Sequence, residues 1–228
     1  MNRRRPLTVQ SLESRLTMNA GAIACAGHHS FFNPRDTNGD QVVGPRDVLV
    51  VINALQVHGE LAGNESQGDP PQCHVDTLAV DVNGDGMLSP ADALSVINWL
   101  QQNHQQRQEL SAARETWSRN GPSDYVMVHQ WGYSAFIPEV TTTVRAGVIA
   151  SAVDENGNEK SHGGSFDAGL TVEAVFDLIE QELDQGHFRI EISYDPETGR
   201  PTRVYSDPME WAADDESLFI VNSFIELA

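Results

Sequence analysis

The chain predicts two modules of different class. The first is a small all-α module of two loop–helix repeats. The second is an α+β domain with an antiparallel sheet and one main helix. Three observations carry this. The acidic stretch DVNGDGMLSPAD (Asp81–Asp92) recurs 45 residues upstream as DTNGDQVVGPRD (Asp36–Asp47). Each copy runs into an apolar pattern at helical spacing, VLVVINAL (Val48–Leu55) and ALSVINWL (Ala93–Leu100). From about Arg114 onward the pattern becomes β-branched runs, turn clusters and a single helical segment.

The repeated stretch spaces oxygen donors as a calcium loop does. Calcium takes six to eight hard oxygens, supplied from loop positions 1, 3, 5, 7, 9 and 12. In the second copy these are Asp81, Asn83, Asp85, the carbonyl of Met87, Ser89 (through a water) and Asp92. In the first they include Asp36, Asn38, Asp40, the carbonyl of Val42 and Asp47. Two Ca²⁺ ions are therefore expected. Gly86 holds position 6, where the chain turns with positive φ. Gln41 holds it in the first loop, and a side chain there costs about 1 kcal/mol. The second loop is expected to bind tighter. Leu88 at position 8 is apolar, as back-to-back loops require.

Only the exit helices are convincing. Pro34 precedes the first loop, and CHVDTLAV before the second is short and β-branched. Pro45 and Pro90 stand at first helical positions, where a missing N–H is harmless. Loop plus exit helix, twice, with Asp at position 12, resembles the dockerin family (type I-like) over about residues 31–105. The resemblance implies a calcium-stabilised pair of antiparallel helices that docks onto a cohesin. Carried over by position, it implies the same ligands: Asp36, Asn38, Asp40, Val42 and Asp47, then Asp81, Asn83, Asp85, Met87 and Asp92. Positions 10 and 11, often small hydroxyl residues that touch cohesin, read Pro45–Arg46 and Pro90–Ala91. The expected partner is a cohesin-like or other surface protein.

The chain has 228 residues and a net charge of −19, which suits two small domains and disfavours nucleic acid and anionic membranes as partners. No stretch approaches the 18 apolar residues of a membrane span. Two cysteines, Cys25 and Cys73, are too few for a disulfide framework; a pair stapling the N-terminal segment and two free thiols both stay open.

Residues 1–30 read as a targeting-like, flexible segment. Arg3–Arg5 is a basic run without the apolar core of a secretory signal. Leu12-Glu13-Ser14-Arg15-Leu16-Thr17-Met18 resembles the bacterial LEPR-type motif of envelope proteins, with Ser14 where the motif prefers Pro and Thr17 where it often has Leu. It implies export and an extracellular, cell-surface or periplasmic place. His28 and His29 read as part of a solvated linker. Residues 58–75 read as a long polar loop, in which Asn64-Glu65-Ser66 is a sequon of little weight. Residues 106–116 read as a helical linker, with a stop near Gly121–Pro122, and Ala112, Trp117 and Leu110 can face a new core.

The α+β domain is expected over 117–228. Tyr125–Trp131 reads as a strand; Val140–Val153 is β-branched and broken at Gly147; Asp154–Gly157 turns the chain. Thr171 is a helix cap before Val172, Val175, Phe176, Ile179 and Leu183, and Gly186 stops that helix. His187–Tyr194 alternates as a half-buried strand. Asp195–Gly199 is a turn; Pro201–Tyr205 and Leu218–Ile225 are strands. The half from about 113 to 228 resembles a bacterial domain family of unknown function found in exported proteins. Its carriers include Val144-Arg145-Ala146-Gly147-Val148, Phe176-Asp177-Leu178-Ile179, Tyr194-Asp195-Pro196 and Gly199-Arg200-Pro201-Thr202. Many members carry Cys-x-Cys after the first strand; here His129-Gln130-Trp131-Gly132 stands there.

No catalytic constellation emerges. His162-Gly163-Gly164-Ser165 reads as a glycine turn, because no nucleophile elbow accompanies it. Asp214-Asp215-Glu216 reads as a solvated turn, and His129 and His187 as ordinary sheet residues. Asp154, Asn156 and Asn158 lack the bidentate carboxylate of a cation site. The leading expectation is a non-catalytic calcium-binding interaction protein of the envelope or exterior. The alternative is an accessory or catalytic subunit in extracellular polysaccharide degradation. An intracellular calcium sensor is disfavoured by the lack of leading helices and of a Met-rich groove.

Overall fold

The computed structural model describes residues 33–58, 80–83, 88–133, 138–163, 166–209, 212 and 214–227. The expectations for residues 1–30, for Cys25 and Cys73, and for the sequon lie outside these. So do Asp85, Gly86 and Met87 of the second loop and Gly164 and Ser165 of the glycine turn. The chain divides into two compact units, residues 1–100 and 101–228.

In the first unit, helix α1 (Pro45–His58) follows the first loop, and helix α2 (Pro90–Asn120) begins at the end of the second. Each has its proline at the first position and its loop's last aspartate in the first turn. The repeat carries into the packing. Val51 and Val96, at equivalent positions, are both fully buried in one cluster with Val80, Val82 and Ala93. Val43 and Leu88, the eighth residues of the two loops, pack against that cluster. No helix runs through residues 33–44, in keeping with Pro34.

Helix α2 does not stop where the first module was expected to end. It continues through residues 106–116 to Asn120. No glycine or proline interrupts it between Ala91 and Asn120. Side-chain bonds at i,i+4 line the polar stretch, from Gln105 to Glu109 and from Arg107 to Asn103. Leu110 and Trp117 lie in the core of the second unit, as expected, but the alanine beside them there is Ala113, and Ala112 is exposed.

That unit is a six-stranded antiparallel sheet of β1 (Tyr125–Tyr133), β2 (Glu139–Arg145), β3 (Val148–Asp154), β4 (Arg189–Tyr194), β5 (Pro201–Asp207) and β6 (Ser217–Glu226). The spatial order is β3-β2-β1-β6-β5-β4, so the last strand lies between the first and the fifth. On β1, Tyr125, Met127 and His129 point into the core opposite Val144, Thr142 and Val140 of β2. The β2–β3 hairpin turns at Ala146 (φ 49°) and Gly147 (φ 74°), both left-handed, as a tight two-residue hairpin loop requires. Asp124 supports the non-glycine residue there by accepting the Ala146 amide at 2.7 Å.

Helix α3 (Val172–Gln185) packs on the same core through Val172, Val175, Phe176, Ile179 and Leu183, the stripe its spacing predicts. Thr171 caps it by accepting the Ala174 amide at 3.1 Å, and Gly186 ends it in the left-handed conformation. Tyr125 ties β1 to the helix start, its hydroxyl accepting the Val172 amide at 3.0 Å. The α+β class holds for this unit. Where the pattern predicted one main helix, the core takes α3 together with the C-terminal part of α2.

Candidate metal centre

The first loop is described in full, and its backbone amides are organised by its acids. Asp36 accepts the amides of Asp40 (Oδ1, 3.1 Å) and Gln41 (Oδ2, 2.8 Å). Asn38 Oδ1 accepts the Asp40 amide at 2.8 Å, and Asp40 Oδ1 accepts that of Val42 at 3.0 Å. Asp47 closes the loop: Oδ1 accepts the Asn38 amide at 3.0 Å and Oδ2 accepts that of Gly44 at 2.7 Å. Thr37 donates its hydroxyl to the Asp47 carbonyl at 3.0 Å.

The second loop repeats the closing pattern. Asp92 Oδ1 accepts the Asn83 amide at 3.2 Å and Oδ2 accepts that of Ser89 at 2.8 Å. Third and ninth residues are thus bound to the twelfth in both copies. The copies differ at position 9. Ser89 also caps α2 with its side chain, its hydroxyl accepting the Ala91 amide at 3.2 Å. Gly44 has no side chain with which to do so. They differ at position 6 as well: Gln41 sits at φ 69°, in the left-handed region where a side chain is strained.

Asp36, Asp47 and Asp92 are buried, the last two completely. Among the described residues, no ion pair involves them or Asp40. A buried carboxylate answered only by neutral donors, backbone amides and the Thr37 and Ser89 hydroxyls, is costly. Each oxygen keeps acceptor capacity beyond the amide it binds. An all-oxygen set with uncompensated charge fits a hard cation such as calcium. Among the described residues, no three Asp, Glu, His or Cys side chains converge as a ready metal group. A loop of this type also draws on an asparagine, a main-chain carbonyl and water, and Asp85 and Met87 lie outside the described residues.

The comparisons with known proteins bear on both halves. Residues 34–101 match the model of the Dockerin type I domain. Residues 109–226, just over half of the chain, match a family of unknown function, DUF6174. The chain belongs to the DUF6174 family. Dockerin type I domains are protein-interaction modules that bind cohesins and typically calcium, so the DUF6174 domain here follows an interaction module. No curated protein and no solved structure matches the chain.

Asp154 accepts from Asn156 and Asn158, and the Asn158 side chain, then its amide, holds the carboxyl down to about 2. Lys160 lies 3.5 Å from both Asp154 and Asp167, so an ammonium of the chain itself already faces this turn and offsets part of its charge. His129 is buried in the sheet core with Nε2 3.2 Å from the Ala168 carbonyl.

His187 is not on a strand but in the α3–β4 connection. It forms a cluster that sequence reasoning missed. Ser206 donates to Glu182 Oε2 at 2.7 Å, and His187 Nδ1 lies 2.9 Å from the same oxygen and in contact with Ser206 Oγ. Serine and acid meet the same ring nitrogen, whereas a catalytic triad places them on opposite ones. Ser206 is also buried. Glu182 and His187 are near in sequence, but Ser206 comes from β5, so no local motif could reveal the three together. The Asp214–Glu216 turn is less solvated than expected. Both Asp215 carboxylate oxygens are shielded from solvent, and Asp207 is raised above the usual carboxylate range by burial and by the charges of Asp215 and Glu216.

Proposed function

We propose that the chain is a calcium-dependent docking protein of the cell envelope or exterior, with no catalytic step of its own. Its first module is a small all-α dockerin-like unit. Asp36, Asn38, Asp40, the Val42 carbonyl and Asp47 hold one Ca²⁺. Asp81, Asn83, Asp85, the Met87 carbonyl and Asp92 hold a second, more tightly. Calcium supplies the positive charge that the buried carboxylates lack, and it sets the helix pair. The observation that carries this reading is the repeated frame, in which third and ninth amides converge on a buried twelfth aspartate in both loops. Gln41 at positive φ and the half-formed cap at Gly44 support the weaker first site.

The partner is a cohesin-like or other surface protein. The repeat leaves Leu49 and Leu94, at equivalent helix positions, 56% and 54% exposed, with Asn53 and Asn98 exposed one turn on. Two matched apolar anchors, each with an exposed asparagine one turn on, suit a protein surface. The DUF6174 domain is then the cargo or the ligand-recognition part. No helix of the described residues is long and apolar enough to cross a membrane.

Titration calorimetry of the full chain with calcium, with circular dichroism before and after chelator, tests this. Two sites of unequal affinity and a gain of helix are expected. Absence of binding heat together with chelator-insensitive dichroism would remove the calcium reading.

A further inference from the structure

The two exit helices are held in different ways. Helix α1 is 14 residues long, its Gly44 cap lacks a side chain, and its described apolar contacts lie in the cluster around Val51. A helix of that length is marginal in water without packing to fix it. Helix α2 is 31 residues long, and its C-terminal part belongs to the second unit. There Asn103 Nδ2 donates to the Leu183 carbonyl at 3.0 Å and Gln106 Nε2 to that of Ile190 at 2.6 Å. Arg107 pairs with Asp184 at 2.7 Å. Leu110, Ala113 and Trp117 complete the attachment from the core. The costly step in helix formation is the nucleus; extension adds one bond per residue. The nucleus of α2 is supplied within the second unit, and the Ser89–Asp92 cap closes its other end.

We infer that α2 is built before calcium arrives, nucleated in the DUF6174 domain, whereas α1 is built only on calcium binding. The inference rests on the calcium reading above. The second loop then meets calcium with its exit helix and Asp92 in place. The first must fold as it binds, so the loops load in order, and the DUF6174 domain prepares the docking module.

Amide hydrogen exchange on the full chain, in excess EGTA and in excess calcium, tests this. In EGTA, residues 94–100 should exchange about a hundredfold more slowly than residues 49–58. Calcium should then slow 49–58 far more than 94–100. Fast exchange of 94–100 in EGTA, with protection appearing only with calcium, would overturn the inference. Gln102 is exposed, and Gln102→Pro interrupts the helix without touching either core. In this variant 94–100 should lose protection in EGTA while strands β1 and β6 keep theirs. Protection unchanged at 94–100 in the variant would show that the helix is not held from the second unit. If calcium changes protection nowhere, the calcium reading fails and takes the α1 clause with it; the EGTA pattern at 94–100 still decides the α2 clause.

Discussion

The buried carboxylate of Asp47 accepts the backbone amide of Asn38 at 3.0 Å, tying the last position of the first loop to its third. Asp92 does the same for Asn83. An amide in place of either acid keeps the shape and removes the charge. Asp47→Asn should weaken the first site alone and Asp92→Asn the second alone, each by roughly ten- to a hundredfold. Calorimetric isotherms that lose one phase per variant would bear this out; loss of both phases from one substitution would not.

Gln41 donates its amide to Asp36 while held at φ 69°. Glycine adopts that conformation without strain, so Gln41→Gly should tighten the first site about fivefold, near 1 kcal/mol. An unchanged first-site constant would show that the strain is relieved elsewhere in the loop.

Burial pushes the His129 imidazole down to about 4, from an ordinary 6.5. The unfolded chain therefore takes up the proton first. The stabilisation is complete above pH 6.5 and is lost as pH falls towards 4, by up to about 3 kcal/mol. Melting curves of the DUF6174 domain should shift down across that window. His129→Leu should flatten the shift, whatever it does to stability at neutral pH. A slope identical in both proteins would place the acid sensitivity elsewhere.

Gly199 sits at φ 78° in the turn between β4 and β5, and a Cβ there would lie 2.3 Å from the Ala113 carbonyl oxygen of α2. Gly199→Ala combines backbone strain with a clash against main chain. It should lower the stability of the second unit by about 3 kcal/mol. Denaturant midpoints of the two proteins check this.

Much of the second unit was legible because its punctuation is local. Thr171 and Gly186 bound α3 as their chemistry requires, and Gly147 marks the hairpin between two β-branched runs. The repeat of 45 residues foretold that Val51 and Val96 would share a fate. What stayed hidden depends on contacts across the chain. The polar run 101–109 has the composition of a linker, yet Asn103 and Gln106 spend their amides on carbonyls of α3 and β4, so the segment is part of a fold. The Glu182–His187–Ser206 cluster joins α3, the connection after it and β5, with no shared motif. Nothing in a strand's own residues says which neighbours it will take, so the place of β6 was open.

That place has a kinetic consequence. The domain's last strand in chain order, residues 217–226, is the one on which both halves of the sheet close, with β1 on one side and β5 on the other. Hairpins β1–β2–β3 and β4–β5 can form as they leave the ribosome, but neither can find its central neighbour until synthesis has passed residue 226. Until then the two halves of the sheet stay unjoined, with β1 and β5 each presenting an open edge.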